Sequence, residues 1–159
     1  MAAHDQESQG NFWLLRLGVP GALGVRPATF TPAGFATNNT MEQSIEMAQI
    51  VNKNYNGGSA KRPGTETWTM GFEGHYVPSN AGQTAIKNAI AAQRANGAYP
   101  YWVQFLMVNA DLTPTTGAPL FEGTAWVSSR SVASPADDIT TLSVTFDGTG
   151  VLAESVTPA

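Results

Sequence analysis

The chain has 159 residues, 42% of them hydrophobic, a formal net charge of −4 and no cysteine. That length fits one domain with a core of its own, the acidic balance argues against the Lys/Arg clusters that phosphate binding draws on, and the missing cysteine excludes disulfides, thiolate metal sites and thiol nucleophiles. Only 13% of residues are charged, against roughly 25% in a typical soluble domain, which suits a surface that packs against copies of itself.

Residues 1–10 are small and polar and read as a flexible N-terminal arm. They lack the basic-then-apolar order of a signal peptide. No apolar run approaches the roughly 18 residues of a membrane span, so folding in a cytoplasm is expected and no membrane partner. Phe12–Leu17 reads as a first strand. Residues 18–36 hold Pro20, Pro27 and Pro32 with Gly21, Gly24 and Gly34, a density that forbids a long helix and favours an extended, turning path. Thr40–Val51 fits two states: Ile45, Met47 and Gln49 would share a strand face, whereas Glu42, Glu46 and Gln49 suit a helix.

Asn52–Glu66 reads as a long loop. It carries the turn formers Asn56-Gly57-Gly58 and Pro63-Gly64, and Lys53, Lys61 and Arg62, three of the eight basic residues. Loops of that length tend to be functional or disordered. Thr67–Val77 alternates, with Trp68, Met70, Phe72 and Tyr76 facing one way and Thr67, Thr69, Glu73 and His75 the other. Gly71 and Gly74 point to local bending. A helix follows from Asn80 or Ala81 to Asn96. Asn80 caps it, Gln83 stands in a box-like position and Gly97 is the stop. Ala81, Ala85, Ala89 and Ala92 line up beside Ile86 and Ile90, with Gln83, Lys87 and Arg94 opposite, so the alanine stripe lets the helix lie close to a sheet.

Tyr101–Val108 is apolar on both faces and reads as a strand covered on both sides; residues 111–119 form a turn. Leu120–Leu152 then holds two strands. In the first, Phe121, Gly123, Ala125 and Val127 oppose Glu122, Thr124 and Ser128. In the second, Leu142, Val144 and Phe146 oppose Ser143, Thr145 and Asp147. Ser134–Asp138 is the connecting turn. Gly148 and Gly150 break the second strand, as at a bulge or a tight exit, and residues 153–159 read as a short C-terminal tail. No repeat is visible.

The residues offer no catalytic, cofactor or metal site. His75 sits beside Glu73 on a polar strand face and reads as solvated; His4 lies in the arm. No serine occupies a Gly-x-Ser-x-Gly elbow. Asp137 and Asp138 are adjacent on a turn rather than opposed across a bond. Asp147-Gly148-Thr149-Gly150 has no lysine and precedes no helix, unlike a phosphate loop. Asn38-Asn39-Thr40 matches the glycosylation pattern, which matters only on secretion. The four tryptophans read as core or subunit contacts.

Phe121-Glu122-Gly123 through Val127-Ser128-Ser129, then Ser134-Pro135 and two aspartates, then Leu142-Ser143-Val144-Thr145-Phe146 and Gly148-Thr149-Gly150, together resemble the C-terminal signature of the major tail tube proteins of long-tailed (siphophage-type) bacteriophages. Upstream the resemblance lies in the order of elements. It implies a mainly β fold, an antiparallel β-sandwich or barrel of the phage tail tube type flanked by one α-helix, and a strand rather than a helix over Thr40–Val51. It implies a non-enzymatic virion protein that self-assembles in the host cytoplasm into stacked hexameric rings, a tube through which phage DNA passes without specific binding. The implied partners are other copies of the chain, the tape-measure protein, and the tail-tip and tail-terminator proteins. The inner tube of a contractile injection or secretion system shares the fold, and a carbohydrate-binding adhesive β-sandwich is the reading from another class. Lys53, Tyr55, Lys61 and Arg62 are the expected contact between rings, and a neutral or acidic lumen is expected because carboxylates repel phosphate.

Overall fold

The computed structural model describes residues 13–50, 58, 60–95 and 99–158. Seven strands and one helix occupy them: β1 Trp13–Gly18, β2 Thr31–Pro32, β3 Ala36–Ile50, β4 Ala60–His75, α1 Ala81–Gln93, β5 Tyr101–Met107, β6 Pro119–Ala133 and β7 Thr141–Val156. The strands form one sheet in the order β2-β1-β5-β6-β7-β4-β3, every neighbouring pair antiparallel. This is the mainly β fold with a single helix that the resemblance implies, and Thr40–Ile50 is strand. The sheet curls until β3 comes alongside β1, where Asn39 Nδ2 donates to the Trp13 carbonyl at 3.3 Å.

Period-two alternation decides which side chains meet inside the curl. Leu15, Leu17, Val103, Phe72, Val144 and Phe146 are almost fully buried, and Ile86 and Ala89 of α1 complete the cluster. Burial of each large side chain stabilises by about 1.5–3 kcal/mol. Trp68 explains two glycines: a Cβ on either Gly123 or Gly148 would collide with its indole ring. Its Nε1 donates to the Gly150 carbonyl at 3.1 Å, and Gly150 itself has φ +80°, the left-handed region that glycine enters without strain. The expected bulge is therefore present, since β7 shifts register against β6 between Glu122 and Thr124. It does not end the strand. Residues 153–156, read as tail, pair with Pro119–Glu122 and complete β7.

The helix starts where the sequence places it. Asn80 Oδ1 accepts from the Gly82 and Gln83 amides at 3.0 and 3.2 Å. It ends at Gln93 with Arg94 as C-cap, short of Asn96; Gly97 lies outside the described residues. Gln83 departs from its expected solvent-facing place and is 5% exposed. Its Oε1 accepts from Val77 N at 2.8 Å, and its Nε2 donates to the His75 and Gly34 carbonyls at 2.7 and 3.3 Å. One amide thus satisfies three backbone groups, two at the exit from β4 and the Gly34 carbonyl just ahead of β3. At the other end Gln93 does the same for a bulge in β6 between Val127 and Ser129. It donates to Val127 O at 3.0 Å and accepts from Val127 N at 2.6 Å.

β5 is covered on both faces, as expected. Tyr101 and Val103 face the main core, while Leu106 joins Leu14, Val108 and Leu120 in a second cluster on the opposite face. Residues 19–30 close over that opposite face: at Gly18 a side chain would strike Pro27 and Phe30.

Candidate assembly surfaces

The β3–β4 hairpin runs beyond the core. From Gln43 to Ile50 every residue of β3 is exposed, as are Lys61–Thr65 of β4. This corrects the loop expected over Asn52–Glu66, because Ala60–Glu66 is strand, paired with Ile45–Ile50. Two features of the sequence hid it. Pro63 lies where β4 has β3 as its only partner, since β7 joins it only from Thr69 onward, and a strand open on one side tolerates the missing N–H. Gly64 and Thr65 are taken up by a register shift between Ile45 and Met47 rather than by a turn.

Of the four residues expected at the contact between rings, Lys53 and Tyr55 lie outside the described residues. Lys61 and Arg62 are exposed, consecutive in β4 and opposite Gln49 and Ala48, so alternation sends them to opposite faces of the hairpin. The apolar content of this extension escaped the sequence reading. Met41 faces Met70 over the core. The same strand face continues outward as Ile45 and Met47, 46% and 55% exposed. The outer edge of β3 has no strand partner among the described residues. A second opening lies where β1 and β3 approach, a groove of about 730 Å³ lined by Trp13, Leu14, Pro32, Phe35, Phe105 and Leu112 among others.

The sheet face turned away from α1 has one fixed polar cluster. Glu122, expected on an exposed face, is 8% exposed. Arg26 grips it bidentately, Nε to Oε1 at 2.5 Å and Nη2 to Oε2 at 3.1 Å, and Gln104 Nε2 donates to Oε2 at 2.8 Å. Arg26 lies over the Phe30 ring at 4.9 Å from its centroid and Arg16 at 5.7 Å, placing Phe30 against two guanidinium groups. The hydrogen bond to Glu122 raises the Arg26 pKa above its ordinary value. Burial lowers that of Arg16, and the nearby Arg26 charge adds to the shift. The cluster fastens residues 19–30 to the sheet. Its sequence signal is a Glu on a strand whose cross-strand neighbour, Gln104, is another polar residue among apolar ones.

The remaining candidates fall into separate places. His75, expected to be solvated, has its Nδ1 buried, with no hydrogen-bond partner among the described residues. Asp138 caps its own turn, accepting from Ile139 N at 2.7 Å. Among the described residues no group of three His, Asp or Glu side chains could hold a metal ion, and no helix is long and apolar enough to cross a membrane.

Comparison with known proteins gives this geometry its context. No curated protein matches the sequence. Solved structures share the fold at low identity. A chain of the virion of a native gene transfer agent particle superposes with TM-score 0.69 at 10% identity, over 94% of this chain and 100% of that one. A chain of the SPP1 tail tube superposes with TM-score 0.66 at 13% identity, over 95% and 80%. A chain of the sheath-tube complex of an extracellular contractile injection system superposes with TM-score 0.67 at 12% identity, over 96% and 94%. The family model described as phage tail tube protein matches residues 8–154. Nearly the whole chain is covered by that match, and it carries the hairpin, the curled sheet and the helix together: the chain belongs to the phage tail tube protein family, structural proteins of the virion.

Proposed function

We propose that this chain assembles with copies of itself into stacked hexameric rings that form the tube of a phage tail, through which DNA passes, and that it has no enzymatic role. The observation that carries the reading is the β3–β4 extension. A hairpin with exposed Ile45 and Met47 on the face continuous with the core, and a long free edge, is a liability in a lone subunit. Covered by a neighbouring copy in a head-to-tail contact that closes on itself, it becomes the bond of a ring. The tape-measure protein within, and tip and terminator proteins at the ends, are the partners such a tube requires, and assembly takes place in the host cytoplasm. The contractile-system structure on the same fold keeps one variant of the reading open, a tube inside a sheath.

Lys61 and Arg62, at the end of the hairpin, and with them Lys53 and Tyr55, which lie outside the described residues, supply the charge and aromatic area that tie ring to ring. The purified protein, concentrated and viewed by electron microscopy, gives rings or tubes; dispersed monomers that bind glycans would favour an adhesive module instead. Lys61→Gln together with Arg62→Gln leaves a folded subunit whose tubes are shorter and more sensitive to salt. Tubes of normal length from that double variant would move the ring-to-ring contact to the chain termini.

A further inference from the structure

A head-to-tail contact needs two different patches on each subunit, one that inserts and one that receives. The β3–β4 extension has the form of the first. The groove of about 730 Å³ where β1 and β3 approach has the form of the second. Its floor is aromatic: Trp13 and Phe105, both half-buried, stack with ring centroids 5.0 Å apart. By alternation they share the sheet face of Leu15 and Val103, so the groove is an open end of the main core. Its lips are Phe35 and Leu112, both exposed. These are also the two non-glycine residues with positive φ among the described residues, +62° and +66°. Large apolar side chains seldom occupy the left-handed region, and here the surroundings impose it. The Phe35 carbonyl accepts from His75 N at 3.0 Å and lies where a side chain on Gly74 would stand. Leu112 N donates to the Asn109 carbonyl at 2.9 Å, and Asn109 N donates to the Thr113 carbonyl at 2.8 Å. Two strained residues holding apolar side chains in water at one opening point to a binding site.

We propose that this groove receives Ile45 and Met47 of a neighbouring copy. The proposal rests on the tube reading and names the receptor that its head-to-tail contact requires. Reach excludes the chain's own extension. The groove takes β3 at Ala36–Asn39, and Ile45 and Met47 lie about 20–30 Å further along the same strand. The chemistry matches. A methionine side chain is flexible enough to enter an irregular slot, and its sulfur packs favourably on aromatic rings, of which Trp13 and Phe105 supply two. Charge matches as well. Lys61 and Arg62 outweigh Glu46 around Met47, whereas Asp111, exposed beside the Leu112 lip, gives the receiving rim the opposite sign. Residues 1–12 fit the groove less well, since Met1 and Phe12 are their only large apolar side chains.

The absence of native cysteine lets introduced pairs report contacts cleanly. Oxidised assemblies of the double variant Met47→Cys/Leu112→Cys are expected to give a ladder of covalent multimers on a non-reducing gel, because each subunit links to one neighbour through each site. Met47→Cys/Phe35→Cys repeats the test at the other lip. Met47→Cys/Lys87→Cys, with its second cysteine on the helix, gives no ladder. In parallel, Leu112→Gly removes one lip and suits the positive φ. That subunit is expected to melt no lower than wild type, while its assembly needs at least about tenfold more protein. Wild-type protein that forms neither rings nor tubes would count against the proposed function itself. Wild-type tubes accompanied by no ladder from either lip pair, or by Leu112→Gly tubes at the wild-type concentration, would overturn the groove assignment alone. So would a link to Leu112→Cys from Gln9→Cys instead of Met47→Cys, which would give the groove to the first residues of the chain.

Discussion

The sheet face turned away from α1 is handled in two ways along its width. Over β1, β5 and the first half of β6 it holds Leu14, Leu106 and Leu120 and two polar groups, Gln104 and Glu122, that would be costly to bury alone. Residues 19–30 cover it and bring Arg26 to neutralise Glu122. Over β3, β4, β7 and the rest of β6 the same face carries hydroxyls and exposed carboxylates, and none of the described residues covers it. Apolar content demands a cover, a cover over a carboxylate demands a cation, and hydroxyls demand neither. The two halves therefore predict different responses to substitution.

The common core beneath both halves sets the upper scale. Ile86→Ala, at a site 1% exposed, is expected to cost about 2–5 kcal/mol in chemical denaturation; an unchanged midpoint would show that α1 does not pack as described. Next comes the covered half. Glu122→Ala leaves the Gln104 amide without a partner and Arg26 without its anion, an expected loss of about 1–3 kcal/mol, at the lower end because the Arg26 side chain is 51% exposed. Glu122→Gln keeps part of the hydrogen bonding and should lose less. If neither variant is less stable than wild type, the cover is held by packing alone. On the bare half, Thr145→Ala and Ser143→Ala are expected to change subunit stability by less than about 0.5 kcal/mol. A larger loss in either would mean that the face has a structural partner.

The smallest effect lies outside both halves, at the turn after β5. Asp111 accepts from the Thr113 hydroxyl at 2.6 Å and the Thr113 amide at 3.2 Å, and these bonds hold its carboxyl below the ordinary value. A depressed folded-state pKa contributes stability above the usual carboxylate range and loses it as pH falls through the folded value. Asp111→Asn should therefore flatten the acid limb of the stability profile slightly and leave neutral pH nearly unchanged. A variant profile identical to wild type on the acid side would remove Asp111 from the account.

Much of the fold is legible in the sequence because its signals are local. Asn80 announces the helix start, and the alternation through Trp68–Phe72 and Leu142–Phe146 announces strands whose faces match the observed burial. The errors share a physical cause. The β3–β4 extension has no buried face of its own, so burial periodicity cannot mark it, and Pro63-Gly64 imitates a turn while sitting in a paired strand. Residues 153–156 follow a glycine-rich bulge that looks like a stop. Gln83 and Glu122 are polar residues buried by partners distant in sequence, Gly34 and Arg26, which no local pattern contains. The surfaces proposed for assembly follow the same division: Lys61 and Arg62 are visible as charge in a polar stretch, whereas the exposed Ile45 and Met47 face emerges only when the register of β3 and β4 is known.

A reconstruction of the assembled protein by electron cryomicroscopy tests the central claim most directly, because it shows what covers the β3–β4 extension. The account predicts closed, stacked rings in which Ile45 and Met47 are buried against a neighbouring copy. Rings or tubes in which that extension touches no other subunit would contradict it.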